Sequence, residues 1–105
     1  MNVEPGAAES TESTESTETV RVWLVERTYS DDEQNIIILV YATPDGRRYY
    51  RKERALVSFT DRRDTTAAID VSPDSLGVVS DEATRKRYAA EAQRMRARND
   101  PDGLV

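Results

Sequence analysis

The chain has 105 residues, 37% of them hydrophobic and 33% charged, with a formal net charge of −5; that is one domain with a core small for its length. It holds neither cysteine nor histidine, which excludes disulfides, thiolate metal sites and thiol catalysis and removes the commonest general base. The longest apolar run, residues 36–42, is far short of the roughly 18 residues of a membrane span, and no basic region precedes an apolar segment at the start, so a cytoplasmic location without membrane contact is expected.

In chain order, residues 1–18 carry Glu4, Glu9, Glu12, Glu15 and Glu18 with no Lys or Arg, while the rest balances at 15 basic and 15 acidic residues. The Glu-Ser-Thr near-repeat has too few apolar side chains to offset ordering entropy. Residues 1–18 are therefore expected to be a disordered acidic Ser/Thr/Glu tail, and residues 19–105 a single domain. Residues 20–29, rich in β-branched and aromatic side chains, read as a strand, and the polar cluster at 30–35 as a turn. The unbroken apolar run from Ile36 to Tyr41 predicts a strand buried on both faces, hence central. Thr43-Pro44-Asp45-Gly46 is a hairpin turn, with Pro where a fixed negative φ is wanted and Gly where a positive one is.

Residues 47 to about 56 return as a third strand, whose charged composition suits a sheet edge. Residues 60–65 read as a loop and 66–71 as a candidate fourth strand. Ser72 ahead of Pro73 opens a short helical turn. Ser80 is the expected N-cap of a helix over residues 81 to about 98, with Asp81 and Glu82 in its first turn and Arg94, Arg96 and Arg98 in its last, as the helix dipole prefers. Its apolar stripe is Tyr88, Ala92 and Met95, with Ala89 beside them. The fold class is α+β: an antiparallel three- to four-stranded meander with one C-terminal helix packed on it.

The stretch Val22-Trp-Leu-Val-Glu-Arg-Thr-Tyr-Ser-Asp-Asp-Glu-Gln-Asn35, running into Thr43-Pro-Asp-Gly46 and residues 49–56, resembles a small conserved haloarchaeal protein family of uncharacterised function. The resemblance covers roughly residues 20–100 and implies a cytoplasm full of salt but no activity. Thirteen Arg against two Lys are compatible with it. The folded part departs from it in being charge-neutral, where a halophile surface is usually strongly acidic.

Few residues point to chemistry. Asp31-Asp32-Glu33 lacks the ligand alternation and the glycine of a calcium loop, and reads as a solvated turn. Gly6, Gly46, Gly77 and Gly103 never cluster, so no phosphate-cradling loop and no nucleotide cofactor are expected. The pairs Asp61 with Asp64 and Asp70 with Asp74 read as loop carboxylates. A serine nucleophile would need a base, and the candidate, Lys52, is flanked by Arg51, Glu53 and Arg54. The expectation is a non-enzyme with no metal and no cofactor.

One constellation stands above background: Arg47, Arg48, Tyr49, Tyr50, Arg51, Lys52 and Arg54 on the third strand, within a segment that is locally +5 from residue 47 to residue 63. Guanidinium groups pair with phosphates and tyrosine rings stack on unpaired bases, so these are the candidate RNA-binding residues. Period-two alternation nevertheless sends Tyr49, Arg51 and Glu53 to one face and Tyr50, Lys52 and Arg54 to the other.

Two readings follow, and neither names the ligand or the pathway. The first is a small binding or adaptor module acting through protein contacts, with an unknown protein partner and itself as a homodimer. The second is an RNA-binding protein using the third strand. The homodimer rests on a register in which Val25 pairs with Leu39 and Tyr41 with Tyr49. That register puts Trp23, Val25, Ile37, Leu39 and Tyr41 on one apolar face, the candidate dimer interface, and Val22, Leu24, Ile36, Ile38, Val40 and Tyr50 on the other. One thin helix covers one face, and contiguous exposed apolar patches are rare on monomers. The apolar residues between 56 and 79 are the other available cover.

Overall fold

A computed structural model describes residues 18–30, 36–55 and 65–105. Residues 1–17, 31–35 and 56–64 lie outside the described residues, and with them the expectations placed on the acidic tail, on Asp31, Asp32 and Glu33, and on the stretch from Leu56 to Asp64. The elements are β1 (Val20–Ser30), β2 (Ile36–Ala42), β3 (Arg48–Ala55), β4 (Ala68–Val71), a single 3-10 turn (Pro73–Ser75), β5 (Gly77–Val78) and α1 (Glu82–Arg98). They form one open sheet in the order β4-β1-β2-β3-β5, antiparallel at every pairing, with α1 packed on β1 and β2. The fold is α+β as expected, with a fourth strand at 68–71 and a fifth that the sequence did not suggest.

The unbroken apolar run makes β2 the middle strand, because a strand without polar positions is stable only with cover on both faces. Leu39 is 1% exposed and Tyr41 3%. The hairpin to β3 closes through Thr43, whose N–H donates to the Arg48 carbonyl (3.0 Å) and whose carbonyl accepts from the Gly46 N–H (2.8 Å). Gly46 takes φ +74°. Asp45 accepts from the Thr43 hydroxyl (2.6 Å) and the Arg47 N–H (2.9 Å), and these bonds hold its carboxyl below the usual carboxylate range.

The two sheet faces are composed differently from the expected register. β1 pairs Trp23 with Ala42 and Leu24 with Tyr41, then Glu26 with Val40 and Arg27 with Leu39. Val25 is thus the extra residue of a β-bulge, which inserts one position and shifts the alternation of everything beyond it. The four-residue turn pairs Tyr41 with Tyr50 and Ala42 with Tyr49, one step from the expected pairing of Tyr41 with Tyr49. One face therefore carries Val22, Leu24, Ile37, Leu39 and Tyr41, with Val20, Tyr50, Ile69, Val71 and Leu76 packed against them. The other carries Trp23, which packs with Ala67, Ala68 and Ala92, and with Val25 and Met95.

This corrects the candidate dimer interface. Trp23 lies under α1, on the face opposite Ile37, Leu39 and Tyr41. Trp23, Ile37, Leu39 and Tyr41 are all buried within the single chain, at 4%, 2%, 1% and 3% exposure, while Val25 is half-buried at the bulge. Part of the expected alternative cover is present: the chain leaves β4 through Ser72–Leu76 and crosses to β5 at the far side of the sheet, seating Leu76 on the cluster of Val22, Leu24, Ile37, Leu39 and Tyr41.

α1 begins one residue later than expected. Asp81, not Ser80, is its N-cap and accepts from the Thr84 N–H and hydroxyl, both at 2.8 Å. Its apolar stripe is as expected: Ala92 is fully buried and Tyr88 and Met95 half-buried. The far end is capped by Asn99, whose N–H donates to the Met95 carbonyl, and the C-terminal residues beyond it bond back to the start of β4, where the Pro101 and Gly103 carbonyls accept from the Ala68 and Ala67 N–H groups. Among the described residues no helix is long and apolar enough to cross a membrane.

The Asp81 cap gives a testable pH dependence. Bonds from Thr84 lower its pKa, so its contribution is complete above the ordinary carboxylate value of about 3.9 and is lost as pH falls through the lower folded value. Asp81→Ala is expected to lower the melting temperature by a few degrees at pH 7. That difference should shrink toward zero as acid protonates the wild-type cap. Calorimetry of both chains across the acid range checks it, and a difference that grows in acid contradicts the cap assignment.

Candidate protein-contact surface

The basic and aromatic residues of β3 are split as alternation requires, and most are engaged. Tyr50 packs its ring against Tyr41 at 6.4 Å, tilted by 44°. Tyr49 lies on the α1 side over Gly77, where a Cβ would stand 2.5 Å from the Tyr49 ring, so glycine at 77 is what lets β5 pair there. Arg51 is ion-paired to Glu53. Arg54 is half-buried; its Nη2 donates to the Thr65 hydroxyl (3.4 Å), and its Nε is buried without a hydrogen-bond partner. Of the seven candidates, Arg47, Arg48 and Lys52 stay exposed with no ion pair among the described residues. No group of metal-ligating side chains occurs among the described residues.

Arg47 and Arg48 meet two features that sequence reasoning missed. β5 pairs Val78 with Arg48, and the Val79 N–H donates to the Arg47 carbonyl (2.9 Å). Arg85, in the first turn of α1, donates from Nη1 to the Val79 carbonyl (2.9 Å). Together Arg47, Val78, Val79 and Arg85 line a shallow depression, and Val78 is 68% exposed beside it. A two-residue strand is too short for any periodic signal, and Arg85 reads in sequence only as a helix-face residue. The exposed Val78 between two arginines was therefore not legible.

The electrostatics of this corner are cationic. The Arg47 and Arg85 guanidiniums act on Asp45 and Asp81 only through space, since both carboxylates accept their hydrogen bonds from the Thr43 hydroxyl, the Arg47 N–H and Thr84. The neighbouring cleft is lined by Tyr49, Val79, Ser80, Asp81, Thr84 and Tyr88. Burial raises the Tyr88 phenol above its ordinary value. Arg87 lies 5.1 Å over the Tyr88 ring and is paired with Glu26 at 2.8 Å.

Fold and surface define an α+β protein whose described residues bury an apolar interior and present cations beside the β5 edge. The chain belongs to a family described as a family of unknown function (DUF7967), whose pattern matches residues 16–105. No curated protein and no solved structure matches it.

Proposed function

We propose that this chain is a non-enzymatic binding or adaptor module that works through protein contacts at the β5 edge. The observation that carries the reading is Val78, 68% exposed on the last strand of an open sheet, with Arg47 and Arg85 beside it. Isolated exposed apolar residues are ordinary, but an apolar residue on an unpaired strand edge is a template for another chain. The homodimer expected from the sequence loses its support, because its residues are split between two faces: Trp23 is covered by α1, and Ile37, Leu39 and Tyr41 are buried on the opposite face. Two copies meeting at β5 would also bring Arg47 and Arg85 together, so the partner is a different protein. A haloarchaeal cytoplasm is part of the same proposal, supported by the resemblance over residues 20–100 and the excess of Arg over Lys.

RNA is the second reading, favoured by the exposed cations Arg47, Arg48 and Lys52. Against it, Tyr49 and Tyr50 are packed in the fold and offer no free pair of ring faces for stacking bases. Full-length chain used as bait in native lysate at native salt, beside Val78→Glu, separates the two. The expected result is a protein retained by the wild type and lost with Val78→Glu. Retention of RNA by both chains, released by ribonuclease, would overturn the protein reading.

A further inference from the structure

We propose that the β5 edge takes an extended acidic peptide segment, which adds to the sheet beside Val78 and places carboxylates on Arg47 and Arg85. This rests on the protein-contact reading and deepens it by giving the partner's chemistry.

The backbone supplies the first argument. In an antiparallel strand each residue directs both of its polar groups to one side, and successive residues alternate. Val79 sends its N–H to the carbonyl of Arg47, just ahead of β3, so Val78, paired with Arg48, sends its N–H and C=O outward, away from the sheet. Among the described residues neither group has a partner. An added strand would satisfy both, which is how extended peptides are commonly bound, with main-chain bonds giving affinity and alternate side chains giving specificity.

Charge complementarity supplies the second. Arg47 and Arg85 flank the Val78–Val79 floor, Arg48 is exposed one residue along, and none of the three forms an ion pair among the described residues. Arg85 uses Nη1 on the Val79 carbonyl, which fixes the guanidinium and leaves its other donors for a ligand. Fixed planar forks match carboxylates in bidentate geometry. Side chains of an added strand alternate between the two sheet faces, so a segment alternating apolar and acidic residues satisfies floor and cations together. A nucleic-acid strand would meet the guanidiniums but leave the Val78 backbone groups unpaired and its side chain against phosphate and sugar.

The test uses the full chain and fluorescein-labelled twelve-residue peptides of alternating Val–Glu and alternating Val–Gln, followed by anisotropy at 0.1 M and 1 M salt. The expected result is binding of the Val–Glu peptide, about tenfold or more tighter than Val–Gln at the lower salt, as for hydrogen bonds to charged groups. Val78→Glu should abolish it. Arg47→Gln with Arg85→Gln should bring Val–Glu down to the level of Val–Gln. Because Arg85 also holds the Val79 carbonyl, Arg47→Gln alone is the second variant, and its circular dichroism should match the wild type while Val–Glu binding falls. Equal binding of the two peptides, unchanged by Arg47→Gln but lost with Val78→Glu, overturns the acidic partner and leaves the protein-contact edge standing. Failure of both peptides beside tight binding of an oligouridine overturns the edge reading as well, and failure of all three probes overturns the acidic-segment proposal.

Discussion

Gly46→Ala is expected to be among the most damaging single-atom additions available in this chain. Two costs combine. Gly46 sits at φ +74°, where a side chain costs roughly 1–2 kcal/mol. Its Cβ would also fall on the Arg85 carbonyl oxygen and 2.8 Å from the Ala89 nitrogen, atoms of the helix backbone that cannot rotate aside. Relieving such an overlap costs typically about 1–3 kcal/mol. The turn is tied to the same helix by Gln93, whose Nε2 donates to the Pro44 carbonyl at 3.0 Å, so α1 must move away from the sheet or the turn must open. Against a domain stability of about 5–15 kcal/mol, a loss of roughly 2–5 kcal/mol is severe. At about 4–8 °C per kcal/mol for a domain this small, urea and thermal melts should show it plainly. A change within about 0.5 kcal/mol, the ordinary surface range, would mean that the turn does not dock on the helix.

Leu39→Ala is the second large effect. Leu39 lies at the middle of the central strand, 1% exposed, among Val22, Leu24, Ile37 and Tyr41. Truncation removes its transfer energy and leaves a cavity that β-sheet neighbours cannot collapse into, for about 2–5 kcal/mol. Leu39→Met, which nearly conserves volume, should cost less than about 1.5 kcal/mol. Ile38→Ala is the informative comparison. Ile38 faces the other way, opposite Thr28 and Glu53, and is only half-buried, so its loss should be clearly the smaller. Denaturant midpoints of the three variants at constant slope check the order. Ile38→Ala costing as much as Leu39→Ala would contradict the face assignment that the bulge at Val25 imposes.

How much of the protein is legible in its sequence depends on the range of the interaction concerned. The apolar run of β2, the Thr43-Pro-Asp-Gly46 turn, the Ser72-Pro73 turn and the charged ends of α1 are local signals, in which a residue's own backbone preferences or its near neighbours decide the outcome. Those elements lie where the residues place them, within a residue or two. Which side chains share a face was not local. Every position of β2 is apolar, so its own pattern favours neither register, and the parity of the sheet passes to the bulge at Val25, which nothing in its own side chain marks as a bulge.

The candidate site follows the same division. Alternation along β3 already separated Tyr49 from Tyr50, and the structure gives each ring a packing partner on its own face. The exposed corner needed more: Val78, Arg47 and Arg85 come from β5, a turn and a helix, and are brought together only because Gly77 admits the Tyr49 ring and the chain crosses the sheet through Leu76. The residues alone determined a central apolar strand, a capped basic helix and a cationic third strand, because each rests on contacts within a few positions. Tertiary structure decided which apolar residues close the interior and that Val78, like Tyr29 and Leu104, stays outside, because that depends on register and on what packs across the sheet.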